Sequence, residues 1–354
     1  MKTPVRIEGD HLEGGGQILR SSVALSAATG RAFVIENIRR RRKPPGLKAQ
    51  HLAAVRLVAD LCGAEIEGAE VGSTRLGFRP GPLRSGTFGV DIGTAGSITL
   101  LCQGALLPAL MAPGPVRLRL TGGTDVRWSP PADYLEAVLL PYYRMLGSVR
   151  CEVKSRGFYP RGGGEIRLEV NSPQSGWDIG SLRAALPPLV LEQVSLRGSV
   201  HLHSLATEDL RERRVAERQA RAARETLEGC PQVTRVVERV EYVRSRSTGT
   251  VAVAWLEQQC GAWPLRIAAD TLGERGVPAE KVGARLGSLL AARLSAPAPV
   301  EEHLGDNLVP LLAAAGGSIR CQEVTLHALS NAYVVERFTG IACHREGNTL
   351  SVPR

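Results

Sequence analysis

The chain has 354 residues, of which 43% are hydrophobic and 4% aromatic, so it can bury an aliphatic core in one large or two smaller domains. Its net charge of +9 and pI of about 9.5 favour an anionic partner such as nucleic acid or a nucleotide. The sequence has no apolar run of about 18 residues and no signal-peptide start, so we expect a cytoplasmic protein that does not bind membranes. Seven scattered cysteines without a Cys-x-x-Cys spacing indicate free thiols rather than a zinc site.

Hydrophobic periodicity predicts that helices and strands alternate along the first half of the chain. Residues 17–28 have apolar side chains at helical spacing and end at Gly30, which is typical of a C-cap. Residues 49–62 repeat this pattern and stop at Gly63. Further candidates are helices at 97–107 and 132–145 and strands at 116–120 and 166–170. The mixture predicts an α+β or α/β fold.

The sequence pattern changes at Pro187 and Pro188, and we predict a small inserted α/β domain over residues 183–261. Its predicted elements are strands within 189–203, a charged helix over 208–229, and a hairpin of 233–243 and 248–255 around 244–249. The arginine-rich helix is typical of a solvated face, and an RNA-docking face is the alternative. The rest of the chain, 1–182 and 262–354, is predicted to form the main catalytic domain.

Two triple-glycine segments occur in similar contexts. Residues 156–166 read Arg-Gly-Phe-Tyr-Pro-Arg-Gly-Gly-Gly-Glu-Ile, and residues 13–18 read Glu-Gly-Gly-Gly-Gln-Ile. Glycines allow close approach of a backbone to a ligand or another chain, although a single such segment is most often a surface turn. Because the segment recurs after a strand-like run, it indicates a duplicated unit. A third unit over roughly 265–346 is permitted by the sequence but is not marked by a glycine triplet.

Residues 156–166 resemble the signature of the RNA 3′-terminal phosphate cyclase family. Four further segments agree with this family: Glu-Gly-Gly-Gly-Gln-Ile-Leu-Arg at 13–20, Lys-Ala-Gln-His at 48–51, Thr-Gly-Gly-Thr-Asp at 121–125, and His-Ala-Leu-Ser-Asn at 327–331 followed by Val-Val-Glu-Arg-Phe at 334–338. The resemblance covers about 1–180 and 262–340 and is weak over 183–261. It implies an α+β fold of three repeated units, each a four-stranded sheet backed by two helices, with a small inserted α/β domain.

The resemblance implies a ligase that uses ATP and RNA with a 3′-terminal phosphate. His327 matches the family nucleophile that attacks the ATP α-phosphate to form a histidine–AMP intermediate. Neutral imidazole is a competent nucleophile near pH 7. AMP then passes to the RNA phosphate, and the neighbouring 2′-OH displaces it to leave a 2′,3′-cyclic phosphate. The second ring nitrogen needs an acceptor, for which we expect a backbone carbonyl.

The same resemblance supplies the other candidate site residues. Glu13 matches the carboxylate that holds a divalent metal, Mg or Mn, on the ATP phosphates, where one or two protein oxygens suffice. The positions that match nucleotide-binding residues are Arg20, Arg39, Arg42, Gln50, Gln103, Pro130, His303, Asp306 and Asn307. Arginine suits phosphate because it can donate two parallel hydrogen bonds. Arg40 and Arg41 could equally be solvent-facing charge, and each glutamine could be ordinary surface polarity.

The predicted adenosine segment departs from the commoner family pattern, Tyr-Leu-x-Asp-Gln, at two positions. His303 stands where tyrosine is common, and Asn307 is one methylene shorter than glutamine. The imidazole at 303 can stack on adenine, with Pro130 or Pro131 on the other face. His303 is also the second candidate for the nucleophile.

Three other interpretations remain open at this stage. Residues 93–97 precede an apolar helix and could bind phosphate through backbone N–H groups. The chain could be a non-catalytic relative that serves as a scaffold in RNA processing or ribosome assembly, or an enolpyruvyl-transferase-like enzyme with related repeats. The joint presence of His327, Glu13 and Arg20 favours the cyclase.

Overall fold

A computed structural model describes residues 3–173, 178–193 and 195–354, and these residues form four four-stranded sheets. The first unit contains β1 (Val5–Glu8), α1 (Gly16–Thr29), β2 (Phe33–Glu36), α2 (Ala49–Cys62), β3 (Glu65–Glu67) and β4 (Leu76–Arg79). Its strand order is β1-β2-β4-β3, with β1 and β2 parallel and the other neighbours antiparallel. Both helices end where the sequence predicts, because Gly30 and Gly63 adopt left-handed φ angles of 64° and 57°.

The second unit repeats the first. It contains β5 (Gly86–Asp91), α3 (Ile98–Met111), β6 (Val116–Gly122), α4 (Ala132–Tyr134), a π-helical turn (Leu135–Leu139), α5 (Leu140–Tyr143), β7 (Ser148–Ser155) and β8 (Gly164–Asn171). The strand order β5-β6-β8-β7 again begins with a parallel pair, followed by two antiparallel ones. The predicted duplication is therefore present, but the glycine triplets do not mark equivalent positions in it. Residues 14–16 lie between the first strand and first helix of their unit, whereas residues 162–164 lie between the last two strands of theirs.

The chain continues through α6 (Ile179–Ala185) and β9 (Leu189–Leu191) into a unit with a different strand arrangement, here called the fourth unit. This unit contains β10 (Gly198–Thr207), a 3₁₀ turn (Glu208–Leu210), α7 (Val215–Glu228), β11 (Val233–Val243), β12 (Thr250–Cys260), β13 (Trp263–Leu272) and α8 (Ala279–Ser295). The predicted hairpin is wrong, because β10 lies between β11 and β12 in the order β11-β10-β12-β13. The charged helix begins at Val215, after Arg214 adopts a left-handed φ of 49°.

The third repeat is completed by α9 (Glu302–Ala315), β14 (Gly317–Arg320), α10 (Leu326–Thr339), β15 (His344–Glu346) and β16 (Thr349–Val352). Its sheet has the order β9-β14-β16-β15 and the same sequence of one parallel and two antiparallel pairs. The three copies that the family resemblance implies are thus present, and the fourth unit is inserted between the first strand and first helix of the third copy.

Sheet membership departs from the predicted domain boundaries of 183 and 261. Strand β9 lies inside the predicted insertion but belongs to the third repeat, whereas β13 and α8 belong to the fourth sheet unit. The pair Pro187 and Pro188 follows the end of α6 and does not mark the boundary. By sheet membership the insertion spans residues 198–295, and the division into separate domains stays a prediction.

The repeats share a helical core. Helix α1 contacts α2, α3 and α10, and α10 also packs on α9. Residues 18–28 of α1 are all buried, so this helix lies at the centre of the repeats and fixes where their loops meet. None of the described helices is both long and apolar enough to cross a membrane.

Candidate functional site

The starts of helices α1 and α10 bring Glu13 and His327 together. His327 follows the N-cap Thr325 by two residues, and Glu13 lies in the loop that leads into α1. Nδ1 of His327 is 3.7 Å from Oε2 of Glu13, which is beyond hydrogen-bond range. Both atoms are buried and have no hydrogen-bond partner among the described residues. The expected backbone carbonyl is therefore not the acceptor, and the imidazole nitrogen faces a carboxylate instead.

The first glycine triplet shapes this contact. Gly14 has a left-handed φ of 63°, and the Glu13 carboxylate folds over Gly15 where any Cβ would clash with it. Arg42 donates a hydrogen bond from Nη2 to Oε1 of Glu13. One carboxylate oxygen is thus paired with a cation, and the other stays free beside His327.

Arg20 is the buried cation of the site. It lies on the second turn of α1 and donates from Nη2 to Oε1 of Gln17, while its Nε–H is buried without a partner. Burial lowers the pKa of Arg20 to about 10, with Glu13 opposing the effect, so the guanidinium stays charged at neutral pH. An unpaired buried guanidinium N–H is suited to a phosphate oxygen.

Arg20 also opens onto a small cavity between α1, α3, α9 and α10. Gln103, Asp306 and Asn307 line this cavity as well. The Thr325 hydroxyl donates to Oδ1 of Asp306, and burial raises the pKa of Asp306 to about 7 despite this hydrogen bond. Three of the predicted nucleotide-binding residues, Gln103, Asp306 and Asn307, therefore meet at the same buried arginine.

Two amide residues that line this cavity, Gln17 and Asn331, were not predicted as site residues. Asn331 donates from Nδ2 to the Asp306 carbonyl at 2.7 Å, and its Oδ1 accepts from Nε2 of Gln17 at 3.1 Å. Both residues lie inside the family motifs at 13–20 and 327–331, but amide side chains indicate no particular chemistry by themselves. They connect α1, α9 and α10, and so hold the site together.

Three predicted residues make structural contacts elsewhere. Arg39 donates from Nη1 to the carbonyls of Pro44 and Gly46 at 3.1 and 2.7 Å and so stabilises its own loop. Oε1 of Gln50 accepts from the backbone N–H of Ser97 at 2.8 Å. The carbonyl of Pro130 accepts from the Thr99 hydroxyl at 2.7 Å. Their roles in nucleotide binding stay predictions.

Three backbone donors of the phosphate loop suggested for residues 93–97 are already bonded within the protein, and a phosphate-binding role for this loop stays a prediction. The N–H groups of Gly93 and Gly96 donate to Oδ1 of Asp91 and Oγ1 of Thr94, and that of Ser97 donates to Gln50. Backbone donors already bonded within the protein cannot cradle a phosphate. The loop also caps α3, whose N-cap is Ser97.

The surroundings of His327 keep its imidazole neutral. Burial lowers the pKa of His327 below its ordinary value, and the charges of Arg20, Arg42 and His303 lower it further, while Glu13 opposes them. A histidine with a lowered pKa carries an unshared electron pair at neutral pH. His303 is exposed at the start of α9, and its effect on His327 places it at the edge of the same site.

The site fits a cation that is shared with phosphate groups. Within residues 3–173, 178–193 and 195–354, no cluster of three or more His, Cys, Asp or Glu side chains could hold a metal by itself. Oε2 of Glu13 is nevertheless a buried oxygen without a partner. A hard cation that takes most of its ligands from phosphates and water needs only one or two such oxygens.

The fold and the site define a protein of three repeated sheet-and-helix units, with a neutral histidine, a carboxylate and two arginines at their shared centre. The family profile described as RNA 3′-terminal phosphate cyclase matches residues 11–344. Proteins of that name are similar to this chain over nearly their whole length. The relative in Methanopyrus kandleri is 42% identical over 97% of this chain and 95% of its own length. The relative in Archaeoglobus fulgidus is 41% identical over 98% of this chain and 99% of its own length, and the one in Pyrococcus furiosus is 43% identical over 94% of this chain and 93% of its own length. The chain belongs to the RNA 3′-terminal phosphate cyclase family, and the predictions of the family and of its enzyme class are confirmed.

Proposed function

We propose that this protein uses ATP to convert a 3′-terminal phosphate of RNA into a 2′,3′-cyclic phosphate. The observation that carries the proposal is the position of His327, a neutral imidazole flanked by Glu13, Arg20 and Arg42. The names of the relatives supply the substrate class. The seven cysteines are free thiols, which supports a reducing, cytoplasmic setting.

In the proposed first step, Nε2 of His327 attacks the α-phosphorus of ATP. A P–N bond forms as the bond to diphosphate breaks, and the departing diphosphate takes the negative charge. The ring then carries a positive charge, which the Glu13 carboxylate facing Nδ1 would stabilise. Arg20 and Arg42 would hold the phosphates in line for attack, since positioning and charge neutralisation dominate phosphoryl chemistry.

The cavity beside Arg20 is the proposed nucleoside site. The carboxyl of Asp306 and the amides of Gln103 and Asn307 would hydrogen-bond the nucleoside. His303 would stack on adenine from the exposed edge, and Pro130 would cover the other face. A Mg or Mn ion on the phosphates, held by Oε2 of Glu13, would supply further charge neutralisation.

The later steps pass AMP through the RNA end. An oxygen of the RNA 3′-phosphate attacks the adenylate phosphorus, the P–N bond breaks, and His327 recovers its electron pair as RNA(3′)pp(5′)A forms. The adjacent 2′-OH then attacks the RNA phosphorus, loses its proton, and releases AMP. Because the 2′-OH is held next to the phosphorus, this step benefits from proximity and is confined to RNA ends.

The test compares two oligonucleotides with a 3′-phosphate, one with a terminal ribose and one with a terminal 2′-deoxyribose. With ATP and Mg, the ribose substrate should give a cyclic phosphate and one AMP per end. The deoxy substrate should accumulate the adenylylated end and release no AMP. An enzyme preparation that binds the RNA but forms neither product would contradict the proposal and favour the scaffold.

A further inference from the structure

The second glycine triplet brings three loops into contact. Gly162 has a φ of 60°, and a Cβ there would lie 2.8 Å from Cα of Ala95 and 2.8 Å from the carbonyl oxygen of Thr94. Gly163 has a φ of 73°, and a Cβ there would lie 2.6 Å from Cδ of Arg246. Only glycine allows both the backbone angles and the close packing. The loops joined in this way, here called the three-loop surface, are 93–97, 159–163 and 244–247.

Hydrogen bonds fix these loops in place. The backbone N–H of Arg161 donates to Oγ of Ser247 at 3.1 Å, and Oγ of Ser245 donates to the carbonyl of Arg156 at 3.0 Å. Ser247 is itself buried. The three-loop surface is therefore a preformed part of the fold, built from the second repeat and the inserted unit.

The three-loop surface is continuous with the candidate active site. Gly96 packs on Gln50, with its Cβ position 3.2 Å from Cβ of Gln50, and the Gln50 amide oxygen accepts the Ser97 N–H. Gln50 lies in the first turn of α2 beside His51, whose imidazole packs against Gly16 at the start of α1. The loops are thus connected to the start of α1, near Arg20, through Gln50 and His51.

The surface carries cations that are not paired with any described carboxylate. Arg161, Arg244 and Arg246 are exposed, and their side chains form no hydrogen bond or ion pair with any described residue. Exposed arginines of the neighbouring sheet are paired instead, such as Arg119 and Arg167, which share Glu165. Tyr159 stands beside these cations with 77% of its surface exposed. Unpaired arginines around an exposed aromatic ring are the combination that binds phosphates and stacks bases of single-stranded nucleic acid.

We propose that the three-loop surface binds the single-stranded RNA segment on the 5′ side of the terminal phosphate. The three arginines contact backbone phosphates, and Tyr159 stacks on a base. RNA is favoured over an acidic protein because only RNA offers a base for the ring and a phosphate for each arginine. The inference rests on the proposed function, since it assumes that an RNA end occupies the site near His327.

The test removes the charges and the ring separately. The loop variant combines Arg161→Gln, Arg244→Gln and Arg246→Gln, and a second variant is Tyr159→Ala. The matched control combines Arg56→Gln, Lys281→Gln and Arg285→Gln. It removes three exposed cations of α2 and α8 whose side chains form no hydrogen bond or ion pair with the part of the chain that the structure describes. Binding of 3′-phosphorylated RNAs of two and twelve nucleotides is measured by fluorescence anisotropy over a salt series. Covalent labelling by ATP is measured in parallel.

The loop variant should bind the twelve-nucleotide RNA at least about 10-fold more weakly than the control variant does at low salt. Its slope of log affinity against log salt should be shallower by about 2, since each phosphate contact to a single strand contributes about 0.7. Tyr159→Ala should weaken binding about 5-fold or more without changing this slope. Neither the dinucleotide affinity nor the ATP labelling should change.

Equal losses in the loop variant and its control would overturn the proposal. So would displacement of the long RNA from the wild type by polyglutamate as effectively as by RNA of equal charge, because the surface would then be a general acidic-ligand site. Failure of the proposed function gives a different pattern. In that case the wild type binds the long RNA through the three-loop surface but takes no label from ATP.

Discussion

At the scale of single residues, Glu13 joins the parts of the site. One of its oxygens accepts from Arg42, and the other faces Nδ1 of His327 without a hydrogen bond. Burial lowers the pKa of the His327 imidazole, and the nearby arginines lower it further, while the carboxylate opposes them. The result is a histidine that is neutral before the reaction and has a carboxylate at hand when it becomes charged.

This balance predicts the effect of Arg42→Gln on the pH dependence of ATP labelling. Protonated His327 cannot attack, so the labelling rate falls as the pH drops through the His327 pKa. The Arg42 charge lowers that pKa, and its removal should therefore move the acid limb of the profile to higher pH. The initial rate of ATP labelling is measured across the pH range for the wild type and Arg42→Gln. The pH at which the rate falls to half its maximum is compared between the two proteins, and not the maximum rate.

The matched control is Arg40→Gln, an exposed neighbour in the same loop. Its acid limb should coincide with that of the wild type. If the acid limb of the Arg42→Gln profile lay at the same pH as that of the wild type, the Arg42 charge would not act on the group whose protonation stops labelling.

Much of the site was predictable at this scale, because the family motifs carry Glu13, Arg20 and His327 in recognisable contexts. The acceptor facing Nδ1 was not predictable, since it depends on how α1 and α10 pack. The amide contacts of Gln17 and Asn331 were missed for the same reason: they join residues 314 positions apart.

At the scale of elements, local patterns predicted helices better than strand pairing. Helix α2 occupies the predicted residues 49–62, because its apolar spacing and its terminal glycine are both local signals. The predicted hairpin of β11 and β12 failed because the strand between them, β10, comes earlier in the chain. The turn residues between two consecutive strands do not indicate whether these strands pair with each other or are separated in the sheet by a third strand.

The start of α2 gives a stability prediction. Nδ1 of His51 accepts the Lys48 N–H at 3.0 Å, and burial lowers the pKa of His51 to about 3, with nearby Arg20, Arg39 and Lys48 adding to the effect. The folded state excludes the proton that the unfolded chain binds below its ordinary pKa of 6.5. The stabilisation is therefore complete above that value and is lost as the pH falls toward 3.

His51→Asn should remove this acid sensitivity. Between pH 7 and about pH 4.5, the wild type should lose about 2 kcal/mol more unfolding free energy than the variant does. Denaturant unfolding at the two pH values measures the difference. His344→Asn, at an exposed position on β15, serves as the control and should behave as the wild type. Equal pH dependence of all three proteins would contradict the assignment.

At the scale of the whole molecule, a buried ion network joins the second repeat to the inserted unit. Arg156 donates to both oxygens of Asp133 at 2.8 Å and to Asp125 at 3.2 Å. Asp133 also lies 3.1 Å from Nδ1 of His203, which is on β10. The arginine of the family signature therefore holds Asp133, which in turn contacts His203 of the inserted unit, and this is a structural role beside any effect on the reaction.

Replacing Arg156 with methionine should be costly. Two buried carboxylates would lose their counter-charge, and we expect a loss of about 3–5 kcal/mol in unfolding free energy. The exposed pair of Arg117 and Glu169 is the comparison, and Arg117→Gln should cost less than about 1 kcal/mol. Similar small losses in both variants, measured by denaturant unfolding, would show that the network does not stabilise the junction.

The repeat architecture was only partly predictable at this scale. The two glycine triplets occupy different loops of the first two copies, and the third copy has no triplet and is interrupted after β9. Its first strand pairs with β14, which follows the whole inserted unit in the chain. The boundaries drawn at 183 and 261 followed local changes in sequence, whereas the sheets are set by pairing across the interruption.

The most direct test of the account is covalent labelling with ATP that carries the label on its α-phosphate. Folded wild type, His327→Ala and the control His344→Ala are incubated with Mg and separated on a denaturing gel, followed by acid treatment. The account predicts an acid-labile label on the wild type and His344→Ala and none on His327→Ala. A label that persists on His327→Ala but disappears from His303→Ala would move the nucleophile to His303. Absence of label from the folded wild type would contradict the proposed reaction.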